Sequence, residues 1–319
     1  MTFKKHAGPP QVFLGPLGGE RRAAAFSGGR TILLTGMNGQ VGWELQRTLQ
    51  PLGTLIALDR TQLDLTNPDR INAVLREVNP AIIVNPAAYT AVDKAESEID
   101  LATTINATAP GILAEAAKRQ DALLIHYSTD YVFDGSKPIP YVESDPVSPI
   151  NIYGRSKLAG EQAIQASGCR HLIFRTSWVY GLRGQNFLRT MLRLAKERDE
   201  LRVVADQTGA PTWSRMIAET TALAIARHAG QQGLYHLVAA GATSWHGFAS
   251  AIIEDAAERG WLEKVPAVRR IASADFPTPA RRPANSRLNC DRLQNDFALR
   301  QPDWAEELRL CLDSALSIQ

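Results

Sequence analysis

The sequence predicts an α/β fold built on a doubly wound parallel sheet, with a smaller lobe supplied by the C-terminal residues. Three observations carry this. Short, nearly unbroken apolar runs recur from Thr31 onward; stretches with apolar residues three or four apart stand between them; and the two kinds alternate strictly as far as about Gly181. Parallel strands covered on both faces read as continuous apolar runs, and strict β/α alternation is the mark of crossover connections.

In order, Thr31-Ile32-Leu33-Leu34-Thr35-Gly36 reads as the first strand, followed by a helical stretch with Val41, Leu45 and Leu49 four apart. Leu55 to Asp59 is the second strand. Asn67-Pro68 opens a helix carrying Ile71, Val74, Leu75 and Val78 on one side, since Asn caps well and Pro suits the first helical position. Ala81 to Asn85 is the third strand, an Ala-rich helical region runs from about Asp93 to Arg119, and Leu123 to Thr129 is the fourth strand. A helix from about Tyr153 to Ala166 leads to the fifth strand, Leu172 to Thr176. Beyond Gly181 helical stretches near 185–198, 214–229, 246–259 and 303–316 are separated by segments such as Gln207-Thr208-Gly209-Ala210-Pro211. That pattern suits a lobe over the carboxyl ends of the strands, where open α/β sheets bind ligands. The expected division is a dinucleotide-binding domain over 31–182 and a mainly substrate-binding lobe over 183–319, some of whose segments return to the first domain.

Residues 1–30 differ from the rest. Six glycines and three prolines oppose any long helix or strand, so the segment reads as a dispensable disordered extension or a mis-assigned upstream start. Val12 to Leu17 is too short and too broken for the apolar core of a signal peptide. The segment carries +4 of formal charge, which leaves −2 on the remainder of a chain whose net charge is +2. Nothing is basic enough for a nucleic-acid footprint or a polybasic membrane surface. No run approaches the roughly 18 apolar residues of a membrane span. Three scattered cysteines fit a reduced, cytoplasmic compartment. Six histidines form no zinc-ligand pattern, so no metal site is read from the residues.

Gly36-Met37-Asn38-Gly39-Gln40-Val41-Gly42 joins the first strand to the first helix with the spacing G-x-x-G-x-x-G. Positions without side chains let backbone approach a pyrophosphate, and a helix N-terminus offers free N–H groups to the anion. Asp59 ends the second strand, where a carboxylate can accept from adenosine ribose hydroxyls; Arg60 beside it can instead pair with a 2′-phosphate. NADH and NADPH are therefore both open. Tyr153 and Lys157 lie four apart and so share a helix face, while Thr129 ends the fourth strand at the carboxyl edge. A tyrosine titrates near 10 and is a proton donor at neutral pH, and a neighbouring ammonium would lower that value. The set suits ketone reduction, with the Thr129 hydroxyl holding the carbonyl oxygen near the phenol.

The glycine loop, Thr129 and the Tyr153/Lys157 pair together resemble the extended short-chain dehydrogenase/reductase superfamily, whose core is Rossmann-like. Longer stretches narrow the match. Gly-Gln-Val-Gly-Trp-Glu-Leu (39–45), Ala-Val-Asp-Lys-Ala-Glu (91–96), Ser-Thr-Asp-Tyr-Val-Phe-Asp-Gly (128–135), Tyr-Gly-Arg-Ser-Lys-Leu-Ala-Gly-Glu (153–161) and Phe-Arg-Thr-Ser-Trp-Val-Tyr (174–180) resemble the dTDP-4-dehydrorhamnose reductase family. So do Gly-Ala-Pro-Thr (209–212), Leu-Tyr-His-Leu-Val (234–238) and Arg-Pro-Ala-Asn-Ser-Arg-Leu (282–288). The resemblance runs from about residue 31 to the C-terminus.

The resemblance implies reduction of the C4 ketone of a dTDP-linked 4-keto sugar, the last step of dTDP-rhamnose synthesis for cell-surface polysaccharide such as lipopolysaccharide O antigen. It implies that Tyr153 protonates O4, that Lys157 orients Tyr153 and the nicotinamide ribose, and that Thr129 tunes the phenol. Thr129, Asp130 and Trp178 would contact the sugar. Gly36, Gly39, Gln40, Val41 and Gly42 would hold the pyrophosphate, with Asp59, Asp64, Leu65, Ala88, Tyr89, Thr90, Tyr127, Tyr153 and Lys157 completing the cofactor site. Some members are magnesium-linked homodimers; here the stretch around Ser214-Arg215 is poor in carboxylates, and no ligands for magnesium are identified. Two other readings share the fold. Dehydratases of the superfamily carry Glu after the Thr-Asp pair, where this chain has Tyr131. A non-catalytic relative is the regulatory subunit of eukaryotic methionine adenosyltransferase; Thr129, Tyr153 and Lys157 together favour an enzyme.

Overall fold

The computed structural model describes residues 30–316. The expectation for the N-terminal segment therefore falls, but for Arg30, outside the described residues. Six strands form one parallel sheet: β1 (Thr31–Leu34), β2 (Thr54–Ala57), β3 (Ile82–Asn85), β4 (Leu123–Thr129), β5 (Arg170–Thr176) and β6 (Gly233–His236). Their order is β2-β1-β3-β4-β5-β6. The chain runs outward from β1 to β2 and then returns to the other side of β1, so the direction of winding reverses between β1 and β3. A crevice opens at such a switch point, outside the carboxyl ends of the strands.

The sheet is buried on both faces because successive side chains alternate. Ile32, Leu34, Val84, Ile125 and Phe174 pack into one apolar cluster, and Leu33, Ile83, Leu124 and Ile173 into another. Each of these is at most 4% exposed, which removes roughly 1.5–3 kcal/mol of unfavourable apolar hydration per side chain. The principal helices are α1 (Gln40–Leu49), α2 (Pro68–Val78), α3 (Ala109–Gln120), α4 (Ile152–Ser167), α5 (Phe187–Glu197), α6 (Ser214–Ala226), α7 (Trp245–Glu258), α8 (Asp291–Phe297) and α9 (Trp304–Leu316). The Asn67 side chain caps α2 by accepting from Arg70 N, and Asn151 caps α4 by accepting from Gly154 N at 2.7 Å. Ile71, Val74 and Leu75 of α2 are buried, as their spacing predicts.

Two elements differ from the sequence reading. The Ala-rich stretch is not one helix: it divides into Val92–Ala95, Ile99–Thr103, a wide π-type turn over Thr104–Thr108, and α3. Asn106 explains the widening. Its side chain accepts from Tyr89 N and donates to Tyr89 O and Ser156 Oγ, tying this turn to the loop after β3 and to α4. Strand β6, which apolar periodicity did not single out, pairs with β5 through Gly233–His236 against Leu172–Arg175. It arrives after α5 and α6, and three short strand pairs lie outside this sheet: Val179–Tyr180 with Thr212–Trp213, Thr208–Gly209 with Thr243–Ser244, and Glu200–Val204 with Ala267–Ile271.

Candidate active site

The loop between β1 and α1 is shaped for close backbone approach. Gly36 has φ +57°, and a Cβ there would lie 2.8 Å from the Ala87 Cβ. A Cβ on Gly42 would come within 2.1 Å of Gly36 O, so neither position accepts a side chain without displacing the loop. Gly39 caps α1 without a side-chain bond, which leaves the first N–H groups of the helix facing the crevice side of the loop. The Gln40 side chain is engaged by Asn186, whose Nδ2 donates to Gln40 Oε1 at 2.8 Å and to the Gly181 carbonyl, while its Oδ1 caps α5. Val41 is half-buried against the core.

At the end of β2, Asp59 accepts from Asn38 Nδ2 at 3.2 Å and from the backbone and hydroxyl of Thr61. These bonds, that of the Thr61 hydroxyl foremost, hold its carboxyl below the ordinary value, so it is ionised at neutral pH. Arg60 is exposed beside it. Asp64 closes the next turn on Thr66 N, whereas Leu65 is buried in the core under α2. Ala88, Tyr89 and Thr90 follow β3; the Tyr89 hydroxyl donates to Glu98 Oε2 at 2.7 Å, and that bond pushes its pKa up to about 12.

Tyr153 lies in the first turn of α4, and Thr129 closes β4 opposite Thr176. The Thr129 hydroxyl donates to Asp130 Oδ1 at 2.9 Å and accepts from Tyr131 N at 3.1 Å. The Thr129 hydroxyl faces the Tyr153 phenol closely enough to lower its pKa. Burial raises the phenol above 10, with Asp130 adding to the rise and the Thr129 bond opposing it. The sequence reading expected a neighbouring ammonium to depress it; instead Lys157, only 1% exposed, turns its Nζ to the Tyr127 carbonyl at 2.6 Å and to His126 Nε2 at 3.3 Å. Burial lowers Lys157 to about 8, opposed by Glu161 one turn further on. Asp130, 2% exposed, is pushed up to about 6 by burial, against the pull of the Ser286 and Thr129 hydroxyls.

The structure thus brings Tyr153, Thr129 and Asp130 together and places Lys157 against β4. It does not bring the Tyr127 side chain to this group: that ring packs against Phe174 on the face of the sheet opposite His126, its hydroxyl bonded to Thr221 at 2.8 Å, so only the Tyr127 carbonyl reaches Lys157. Trp178 has φ +47° and stacks on Trp245 with ring centroids 3.6 Å apart. Gly209 makes room for it, since a Cβ there would lie 2.6 Å from Trp178 Cε2.

Sequence reasoning passed over Asn85, His126, Asn106 and the Arg175–Glu161 pair. Glu161 on α4 receives two bonds from Arg175 on β5, at 2.9 and 2.7 Å, with both side chains buried. The signal was present: polar residues inside apolar runs, as in Leu-Leu-Ile-His-Tyr and Leu-Ile-Phe-Arg-Thr, are buried and must find partners. Near Arg215 the fold gathers Glu44, Glu219 and Glu307, but Arg47 and Arg215 pair with Glu219. Among the described residues no group of three or more His, Cys, Asp or Glu side chains is placed to hold a metal ion.

The family model described as the RmlD substrate binding domain matches residues 30–317. A dTDP-4-dehydrorhamnose reductase from Burkholderia thailandensis is 51% identical over 297 residues, covering 90% of this chain and 99% of that protein. Its namesake from Escherichia coli K12 is 51% identical over 280 residues, covering 86% and 94%. Among solved structures, dTDP-4-dehydrorhamnose reductase from Bacillus anthracis in complex with NADP aligns with a TM-score of 0.84 at 39% identity, covering 89% of this chain and 99% of that one. The Thermus thermophilus UDP-glucose 4-epimerase complex with NAD, at 21% identity and a TM-score of 0.75, shares the fold. With a parallel sheet, a glycine loop and a Thr–Tyr–Lys group already in place, these matches establish that the chain belongs to the RmlD family, alongside the dTDP-4-dehydrorhamnose reductases.

Proposed function

We propose that this protein reduces the C4 ketone of dTDP-4-dehydro-β-L-rhamnose to dTDP-L-rhamnose, using NADH or NADPH. The observation that carries the reading is the Tyr153 phenol, held protonated by burial, beside Thr129 at the end of β4 and one helical turn from Lys157 at the carboxyl edge of the sheet. The close-approach loop at Gly36 and Gly42 and the open N-terminus of α1 fit the pyrophosphate of a dinucleotide. When bound, the nicotinamide supplies a hydride to C4. Tyr153 gives its proton to O4, so the ketone becomes an alcohol and the phenol a phenolate. Thr129 and Asp130 hold the oxygen-bearing end of the sugar. Lys157 orients the ribose, and Trp178 closes the pocket.

Tyr131 stands where a dehydratase needs a carboxylic acid, and its ring packs edge-on against Tyr153 with centroids 5.6 Å apart. This favours reduction over elimination of water. A cytoplasmic location, a homodimer, and service to lipopolysaccharide O antigen or other cell-surface polysaccharide belong to the same reading. The division at residues 182 and 183 belongs to it as well. No helix among the described residues is long and apolar enough to cross a membrane.

The test is a panel of dTDP-4-keto-6-deoxy sugars of differing stereochemistry with NADH and NADPH, the products identified by NMR. The expected product is dTDP-L-rhamnose with stoichiometric cofactor oxidation. Oxidation with none of the sugars would overturn the reading.

A further inference from the structure

Residues 278–289, between the strand Ala267–Ile271 and α8, are set against the site link by link. Ala280 N donates to Asp93 Oδ1 at 3.2 Å, the Arg281 carbonyl accepts from Asn151 Nδ2 at 2.8 Å, and the Ala284 carbonyl accepts from Thr208 N at 2.8 Å. Pro283 lies on Gly135, where a Cβ would stand 2.5 Å from the Pro283 Cβ. Arg282 is thereby aimed at Asp93, and its Nη1 and Nη2 donate to the two carboxylate oxygens at 3.1 and 2.9 Å. That is the planar fork of a guanidinium, which an ammonium cannot reproduce. The same guanidinium stands near enough to the Tyr131 phenol to act on it: burial raises that phenol, Asp130 adds to the rise, and Arg282 opposes it. Tyr131 in turn borders the start of α4. Its ring meets the Tyr153 ring edge-on, with centroids 5.6 Å apart and planes at 80°. Its carbonyl lies where a Cβ on Gly154 would come within 2.2 Å, and its N–H donates to the Thr129 hydroxyl.

We propose that Arg282, paired with Asp93, is a positioning residue that holds the Tyr131 ring against Tyr153 and so aims the Tyr153 phenol at the ketone oxygen. The inference rests on the reductase reading of Tyr153. Tyr153 lies in the first turn of α4, where the backbone N–H groups have no partner within the helix, so its direction depends on what it packs against. Its contacts through Tyr131 run to Arg282 on one side and to Thr129 on the other. Proton transfer needs the donor aligned with its acceptor, and a misplacement of about 1 Å can cost about 10²-fold in rate. Stability is not what the ion pair supplies. The Arg282 and Asp93 side chains are 23% and 40% exposed, and a pair so open to water is screened. Both residues belong to stretches that mark the chain, 91–96 and 282–288, yet neither is among the cofactor or sugar contacts. A place in aligning the donor gives them a part in the reaction.

The test is single-turnover hydride transfer by the full-length protein with saturating sugar nucleotide and nicotinamide cofactor. Arg282→Met is expected to slow the step by about tenfold or more, with KM for the sugar nucleotide within about twofold of the wild type. Arg282→Lys keeps a charge opposite Asp93 and should recover part of the loss. In a Tyr153→Phe background Arg282→Met should cost nothing further, because no phenol is left to aim. The same loss in both backgrounds, or a rise in KM that accounts for all of it, would place the effect of Arg282 elsewhere and overturn the proposal. A lower melting temperature with the rate unmoved would show the ion pair to be structural only. Placement is also read without turnover. NMR of the tyrosine-labelled protein should show cross-relaxation between the Tyr131 and Tyr153 rings, weakened in Arg282→Met; a ring contact unchanged in that variant would likewise overturn the proposal. Failure of the wild-type protein to reduce any of the sugars would sink the reductase reading, whereas the ring contact is measured independently of it.

Discussion

Tyr153 is expected to lose its function without losing its place. Tyr153→Phe removes the proton donor while keeping the ring that packs edge-on against Tyr131. Turnover should fall about 10²–10⁴-fold, the usual contribution of a positioned acid, with cofactor affinity nearly unchanged; stopped-flow hydride transfer and a cofactor titration measure the two. A rate above half that of the wild type would make the phenol structural. Asp59 and Arg60 set the cofactor ratio. The Asp59 carboxylate is ionised and would meet a 2′-phosphate with like charge, whereas the exposed guanidinium can turn toward it. Wild-type discrimination between NADH and NADPH should lie within about tenfold, or 1.4 kcal/mol. Asp59→Asn should shift kcat/KM toward NADPH and Arg60→Ala toward NADH; a ratio that neither change moves would place both residues away from the adenosine ribose. Spacing and chemistry singled out Tyr153, Lys157, Thr129 and Asp59 as candidates, and the fold sets Thr129 at the end of β4 and Tyr153 in the first turn of α4. What spacing could not supply was the direction of the Lys157 side chain, because that depends on His126 and the Tyr127 carbonyl, thirty or more residues away.

Among the elements, α4 carries the candidate proton donor and is fastened at its start and again beyond its middle. Asn151 caps its start, donates to the Arg281 carbonyl, and so also fixes the segment after residue 280. Two turns on, the Arg175–Glu161 pair joins the helix to β5 with both side chains buried. Breaking such a pair leaves an uncompensated buried charge. Arg175→Leu should therefore cost about 3–5 kcal/mol in chemical denaturation, while the Arg175→Leu/Glu161→Leu double variant should cost less than the single change. A double variant as damaged as the sum of the two singles would mean that the pair does not act as a unit. The strands β1 to β5 were legible because burial on both faces writes itself as apolar runs. The Ala-rich region was misread as one helix because Ala propensity is local, whereas its wide turn is drawn open by Asn106 reaching Tyr89 and Ser156. Strand β6 was missed because Gly233-Leu234-Tyr235-His236 is short and mixed, and only its edge pairing with β5 defines it.

For the whole molecule, the site carries a stability cost that depends on pH. The folded pKa of Asp130 is about 6 against an ordinary 3.8, so between those values the folded protein holds a proton that the unfolded chain has released. Stability from this group is complete below about pH 3.8 and is lost as pH rises through about 6, by as much as roughly 3 kcal/mol. Asp130→Asn should accordingly raise the melting temperature at pH 7.5 by roughly 6 °C or more, give no gain near pH 4, and lower activity. Equal gains at both pH values would show that the charge is not the source of the cost.

The indole pair at Trp178 and Trp245 has an optical consequence. Two rings with centroids 3.6 Å apart and planes within 8° couple their excited states, so their absorption and emission are properties of the pair. Trp178 sits two residues beyond β5, Gly209 under its ring belongs to the short strand Thr208–Gly209, and Trp245 begins α7. The protein therefore carries, without any label, a chromophore whose ellipticity and quenching report whether three distant stretches of chain have closed on one another beside the candidate sugar pocket.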